Sequence, residues 1–324
     1  MSVLSFLLLE LLLAPLTLTS FLLLQVWAVT ISKQQQLSIT ALAPLFFRWL
    51  LHIQGIRPDA VTQSFITHLS SSNGALCWGC VGPTLLAANL TGYTPSFLSV
   101  PPAGKEHLSN MIHTRTLFFD RAIAQSLDTA EQIVILGAGF DTRLFKFCLG
   151  QGHALPARAL FEVDQLATQQ AKIQALKNSQ VAFSDVNFVS VNFNQENWAD
   201  KLVQAGFVPG KQTFFLWEGV TYYLTEAIVK ETLVKVAEIS GEGSAIAFDV
   251  FSSHFVSGTG EWQWIQPALN ILTLMGEPFR FGINLQTDAP MTRLLQDTGF
   301  QLQSFQTMRN DKPVFSGLVS AVKP

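Results

Sequence analysis

Charge is scarce at the front of this 324-residue chain. Up to Gly104 the only acidic or basic side chains are Glu10, Lys33, Arg48, Arg57 and Asp59, and from Ala60 to Gly104 there are none. Clusters of lysine and arginine are absent throughout. With 20 basic against 23 acidic residues and a net charge of −3, the chain offers no electrostatic footprint for nucleic acid. Cysteine is also rare, at three residues. Cys77 and Cys80 form a CxxC, but a zinc site needs a second ligand pair and a redox pair needs a thioredoxin-like strand–helix context. Neither is present, so the two are read as small apolar fillers and no metal is expected. After Lys105 there is no internal repeat and no low-complexity linker.

Apolar residues are abundant, at 48% with a mean hydropathy of +0.31, and the excess lies in the uncharged front. Leu11 to Ile31 is 21 residues without a charge. At about 1.5 Å per residue such a helix crosses a hydrocarbon core of roughly 30 Å. Pro15 lies near the start of that run, and Glu10 is expected at the interface. No lysine or arginine precedes the run, which argues against a signal peptide. The other reading is a long helix buried against the following domain. A second apolar stretch, Leu37 to Ile53, either spans or lies in the interface. A third, Ala75 to Leu98, is interrupted by glycine and proline and reads as a hydrophobic wall or re-entrant piece. Lys33, Arg48 and Arg57 follow the first span, and positive-inside logic puts the chain beyond it in the cytoplasm. This composition predicts residues 1–57 as a membrane anchor, 58–109 as an uncharged connector or cap, and 110–324 as the main domain.

From Lys105 onward, β-rich runs alternate with helical ones, the pattern of a parallel-sheet α/β fold. Met111 to Leu127 predicts a helix. Strands are expected at Gln132 to Leu136, Arg158 to Val163, Val186 to Val191, Gln212 to Trp217 and Ser244 to Phe251. Helices are expected at Gln165 to Leu176, from Thr225 (an N-cap) and at Met291 to Thr298. Gly299 to Phe305 and Val314 to Val322 complete an antiparallel pair.

Three strand ends carry chemistry. The first reads Leu136-Gly137-Ala138-Gly139-Phe140-Asp141-Thr142-Arg143. A glycine turn there lets a ligand approach the backbone and aims amide N–H groups at it. A dinucleotide fingerprint would want a third glycine where Thr142 stands, which disfavours a nicotinamide site. The second strand ends in Glu162-Val163-Asp164, where an acid can accept from ribose hydroxyls or complement the dipole of the next helix. The spacing from Gly137 to Asp164 is longer than usual, and the Gly150 to Pro156 loop is expected to absorb the excess. The fourth strand ends in Trp217-Glu218-Gly219, facing the same crevice.

HTRTLFFD at His113 to Asp120, VILGAGFDTR at Val134 to Arg143, FEVDQ at Phe161 to Gln165, WEGVTYYL at Trp217 to Leu224 and GEPFRFGI at Gly276 to Ile283 together resemble the leucine carboxyl methyltransferase-like family. That family includes tetracenomycin-type polyketide O-methyltransferases. The resemblance runs from about Asn110 onward and leaves the first hundred residues unexplained. It implies a class I methyltransferase fold, Rossmann-like, with a seven-stranded sheet covered by helices on both faces, and S-adenosyl-L-methionine as cofactor. It implies that Arg115 pairs with the methionine carboxylate, that Gly137, Ala138, Gly139 and Asp141 form the floor, and that Asp164 binds the ribose. Asn192 and Phe193 fall where the family clamps adenine, although an Asp is usual at Asn192, and Glu218 lies under the amino group. Tyr222 and Tyr223 are candidate substrate contacts.

The implied reaction is O-methylation of a carboxylate or hydroxyl on a hydrophobic small molecule. The alternatives are carboxyl methylation of a protein terminus, or a silent cofactor-binding scaffold at a membrane. His107, His113, Tyr222, Tyr223 and His254 are possible bases, and no spacing singles one out. Phe251 to Trp264 is either a lid over an apolar acceptor or core packing. The expected location is a membrane-associated protein with this domain in the cytoplasm, where S-adenosylmethionine is made; the alternative is a soluble cytoplasmic one.

Overall fold

A computed structural model describes residues 3–38, 40–149, 158–193, 196–309 and 313–324. Its elements run α1 (Val3–Gln35), α2 (Leu42–Ile53), α3 (Ala60–His68), α4 (Gly74–Thr91), α5 (Met111–Ser126), β1 (Gln132–Leu136), β2 (Ala159–Asp164), α6 (Leu166–Asn178) and β3 (Val186–Ser190). They continue with α7 (Trp198–Gln204), β4 (Thr213–Trp217), α8 (Glu226–Ile239), β5 (Ala245–Phe251), α9 (Ser253–Ser257), α10 (Gln266–Leu274), α11 (Ala289–Asp297), β6 (Gln301–Met308) and β7 (Ser316–Val322). The chain divides into two compact units. The first holds residues 1–100, 139–151 and 166–183; the second holds 101–138, 152–165 and 184–324.

In the first unit α1 is longer than the apolar run predicted. Leucine and phenylalanine before Glu10 carry the helix back to Val3, so Pro15 and Glu10 fall in its interior and not at its start. Only Phe6, Ser20, Ala28 and Ser32 are buried along it. The leucines point outward: Leu11 is 74% exposed and Leu12 75%. Leaving a leucine in water forgoes roughly 1.5–3 kcal/mol, so α1 is not the buried helix of the alternative reading. Among the described residues it is the one helix long and apolar enough to cross a membrane.

Its inward residues meet α4 with opposite chain direction. Phe6 stacks near Tyr93 at 4.8 Å, Ser20 sits against Gly79, and Trp27 Nε1 donates to the Ser70 carbonyl at 3.0 Å. A Cβ at Gly79 would collide with Ser20. Small residues inside and leucine outside is the pattern of helix pairs in lipid, where close backbone approach supplies the attraction. Gly79, Gly82 and Pro83 do not break α4. Asn73 caps its start by accepting from the Leu76 amide, and Gly92 at φ +73° ends it.

Within the Leu37 to Ile53 stretch only twelve of the described residues are helical. They form α2, whose Leu45, Arg48, Trp49, Leu50 and Leu51 are buried. The Trp49 indole donates to Gln63 Oε1 at 2.7 Å. Arg48 and Arg57 are buried in ion pairs with Asp141 and Asp59, and Lys33 lies in the last turn of α1.

The second unit is built on one seven-stranded sheet in the order β3-β2-β1-β4-β5-β7-β6. Neighbours from β3 to β5 are parallel, and β7 is inserted antiparallel between β5 and β6. This is the expected methyltransferase-type α/β sheet. The strands read as nearly continuous apolar runs because both faces are covered. On one face Val134, Leu136, Phe161, Val163, Phe215, Trp217, Ile246 and Phe248 share a core with α7, α8 and α11 residues such as Leu202, Leu233 and Leu295. Helix α5 packs against β4, β5 and β7. Thr225 caps α8 as expected.

Candidate cofactor site

Within the second unit the carboxyl ends of β1, β2, β4 and β5 all end at one edge of the sheet. Gly137 has φ +64°, and a Cβ there would collide with Val220 of the loop after β4. Both facts require glycine. The amides of Gly137 and Ala138 donate to the Val163 carbonyl at 2.8 and 3.1 Å. They tie the turn to β2, so the turn offers a shaped floor and not the pair of free donors expected from the glycine pattern. Asp164, half-buried at the end of β2, accepts from the Gln165 amide at 2.6 Å through Oδ1. After β3, Asn192 donates its amide to Glu196 Oε2 at 2.9 Å, and Phe193 packs on the sheet core. That bond and Lys201 hold the Glu196 carboxyl below its ordinary value. The Gly150 to Pro156 loop lies outside the described residues.

The densest chemistry surrounds Arg115 on α5. Its Nε meets Glu218 Oε1 at 3.0 Å, and its Nη1 meets Asp249 Oδ2 at 3.0 Å and the Tyr222 hydroxyl at 3.3 Å. Burial pulls Arg115 down, but Asp249, Tyr222 and Glu218 together raise it above its ordinary value, so it stays charged. Burial pushes the Asp249 carboxyl up, against the pull of Arg115 and of the Gly219 amide, which donates to its Oδ1 at 2.6 Å. The Tyr222 phenol is pushed well above its ordinary value by burial and by Tyr223. Gly219, at φ +76°, brings the chain under this trio. With both carboxyls ionised, the trio Arg115, Glu218 and Asp249 carries a net charge of −1.

Aromatic rings continue from it. Tyr222 stacks on Phe251 at 4.2 Å and meets Phe279 at 5.1 Å; Phe251 meets Phe255 at 4.8 Å, and Phe255 meets Trp262 at 5.1 Å. The Arg280 amide donates to the Tyr222 carbonyl at 2.7 Å, which joins the segments WEGVTYYL and GEPFRFGI. Phe251, Phe255 and Trp262 are buried packing and Trp264 is exposed.

In the first unit the end of the glycine motif has its own partners. Asp141 pairs with Arg48 at 3.0 Å and with Arg143, and accepts from the Arg143 amide at 2.7 Å. Thr142 donates to Asp59 Oδ2 at 2.6 Å, beside Thr62 at 2.7 Å and Arg57. Thr142 therefore replaces a third glycine because its hydroxyl is in use. Burial alone would raise the Asp59 carboxyl; Arg57, Thr142 and Thr62 outweigh it and hold the group below its ordinary value.

The sequence profile of the leucine carboxyl methyltransferase family matches residues 61–237, more than half of the chain. The chain belongs to that family. Among its relatives is YktD of Bacillus subtilis, named as a candidate S-adenosyl-L-methionine-dependent methyltransferase. It is 30% identical over 171 residues, 52% of this chain and 54% of YktD. A similarly named protein of Rhodococcus jostii is 29% identical over 216 residues, 66% of each chain. The chain thus spans about half to two thirds of the length of these relatives. A solved geranyl diphosphate C-methyltransferase from Streptomyces coelicolor, in complex with S-adenosyl-L-homocysteine, is similar at 10% identity and a TM-score of 0.46, over 72% of this chain and 94% of that one.

The leucine carboxyl methyltransferase match begins at residue 61, well before Asn110, where the motifs alone place the start of the resemblance. Its first residues, in α3, pack with residues of the glycine motif inside the first unit, as Thr62 and Thr142 show at 3.0 Å. Asp249 was missed by the sequence reading. Its only trace there is a lone acid in the apolar strand Ser244 to Phe251.

Proposed function

We propose that this protein is an S-adenosylmethionine-dependent O-methyltransferase acting on a carboxylate of a hydrophobic small molecule, held at a membrane by α1 with its second unit in the cytoplasm. The observation that carries the reading is the buried trio Arg115, Glu218 and Asp249 beside the glycine floor. The cofactor bears a carboxylate, an ammonium and a sulfonium, a net charge of +1, and the trio is its complement. Arg115 meets its partners among the described residues through Nε and Nη1, which leaves Nη2 for the ligand carboxylate. Glu218 takes the ammonium, Asp164 the ribose hydroxyls, and Asn192 and Phe193 the adenine, while Gly137 and Ala138 form the turn at the end of β1. In this reading Asp141 acts indirectly, by holding the end of the glycine motif through Arg48 and Arg143.

The cofactor supplies a methyl group already activated on sulfur, so the protein contributes mainly proximity and orientation. A hydroxyl acceptor would need a base. Tyr222, beside the trio, is held protonated at neutral pH, and His254 lies exposed on α9, 3.2 Å from Thr259. Tyr222 is not poised to take a proton, and a carboxylate acceptor, already ionised, needs no base. Tyr222 and Tyr223 then serve as apolar walls.

The test uses full-length protein, methyl-tritiated cofactor and a lipid extract of cell membranes. Label should enter the organic phase and be released as methanol by mild base, as an ester is and an ether is not. Label confined to protein would favour the protein-terminus reading. No transfer to any fraction would favour a silent scaffold.

A further inference from the structure

Helix α10 carries two apolar faces. Ile265 at its N-cap and Leu269 are buried, with Leu272 half-buried behind them. Ala268, Ile271 and Leu274 or Met275 recur at i, i+3 and i+6 or i+7 on another side, and all are exposed: Ile271 at 57%, Leu274 at 87%. Gln266, Asn270 and Thr273 fill the third sector. A surface helix normally turns its outer face polar. Just before it, Trp264 is 64% exposed. No acidic or basic residue occurs from Trp262 to Gly276, and Glu261 and Glu277 flank the stretch.

We infer that α10 and Trp264 rest on the lipid surface, a contact made by the second unit itself and separate in sequence from α1. The inference rests on the membrane reading of α1 given above. A second copy of the chain fits this face poorly. A handful of side chains on a nine-residue helix falls far below the roughly 800 Å² per partner of a stable interface. Lipid fits it better: an apolar stripe and an adjacent tryptophan are parts of a helix lying at the headgroup boundary of an uncharged bilayer. The row Trp262, Phe255, Phe251 and Tyr222 links the residues before α10 to Arg115 through ring contacts of 5.1, 4.8 and 4.2 Å and a hydrogen bond of 3.3 Å. This row of buried rings couples the position of α10 to the residues around Arg115.

The test places an environment-sensitive fluorophore (NBD) on Leu274→Cys, and separately on Leu12→Cys in α1, in full-length protein carrying Cys80→Ser and Cys148→Ser. Each is mixed with phosphatidylcholine vesicles, with and without doxyl-labelled lipid. The inference expects several-fold brighter, blue-shifted emission at both positions and quenching by the doxyl lipid at both. A response at 12 with none at 274 overturns the α10 contact and leaves the anchor standing. A response at 274 alone keeps the α10 contact and removes the anchor. Silence at both removes both. Brightening at 274 that grows with protein concentration in the absence of vesicles overturns the inference and assigns the face to a second copy.

Discussion

Asp249 does two jobs with one carboxylate: Oδ2 holds Arg115 and Oδ1 holds the Gly219 amide. Asp249→Asn keeps the shape and removes the charge, so Arg115 loses its strongest partner. Cofactor affinity should fall about 10- to 100-fold, the equivalent of one or two charge-assisted contacts, with the circular dichroism spectrum retained. Unchanged affinity would assign Asp249 to packing alone. Gly137→Ala meets a positive φ and the Val220 side chain together, and should lower stability by about 1–3 kcal/mol. Adding Val220→Ala should restore only part of that in urea melts, because the φ cost remains. Asp59 sets a pH dependence. Its folded value lies below the ordinary 3.8, so its contribution is complete above that value and is lost as pH falls through the lower folded one. Asp59→Ala should cost about 3–5 kcal/mol at neutral pH, as breaking a buried pair does. The gap to wild type should narrow in acid; a constant gap would contradict the ion-pair account. At this scale Gly137, Asp164, Glu218 and Arg115 stand out in the sequence as candidates because each sits in a compact motif. Asp249 and Arg48 could not be read in the same way, since their partners are tens to more than a hundred residues away.

At the scale of elements, the strands were legible because burial on both faces writes them as apolar runs, and the capped helix α8 was legible because Thr225 announces it. Among the short helices α11 was legible at Met291 to Thr298, but α9 and α10 were not. α9 and α10 span five and nine residues, too few turns to show a period. The start of α1 was misplaced because Glu10 looked like a boundary, yet one charge does not stop a leucine-rich helix. Pro83 and two glycines disguised α4, whose continuity depends on its contact with α1. That contact makes a prediction. Gly79→Leu should force α1 and α4 apart and lower the thermal midpoint of detergent-solubilised protein, whereas Gly92→Asn, at a cap with open space around it, should have little effect.

For the whole molecule, the uncharged front and the motif-rich remainder looked like consecutive domains. The structure instead gives a first unit that also takes residues 139–151 and 166–183, in which a buried ion pair ties α2, and buried hydrogen bonds tie α3, to the end of the glycine motif. Full-length protein should remain with membranes through alkaline carbonate washing, and its appearance in the soluble fraction would remove the anchor. The central claim is that the trio at the same sheet edge as the glycine turn binds S-adenosylmethionine. Calorimetry of that cofactor with wild type, Glu218→Gln and Asp164→Asn tests it most directly. The account predicts one site per chain in the wild type and at least tenfold weaker binding in each variant with thermal midpoints preserved; no wild-type binding, or equal binding in all three, would contradict it.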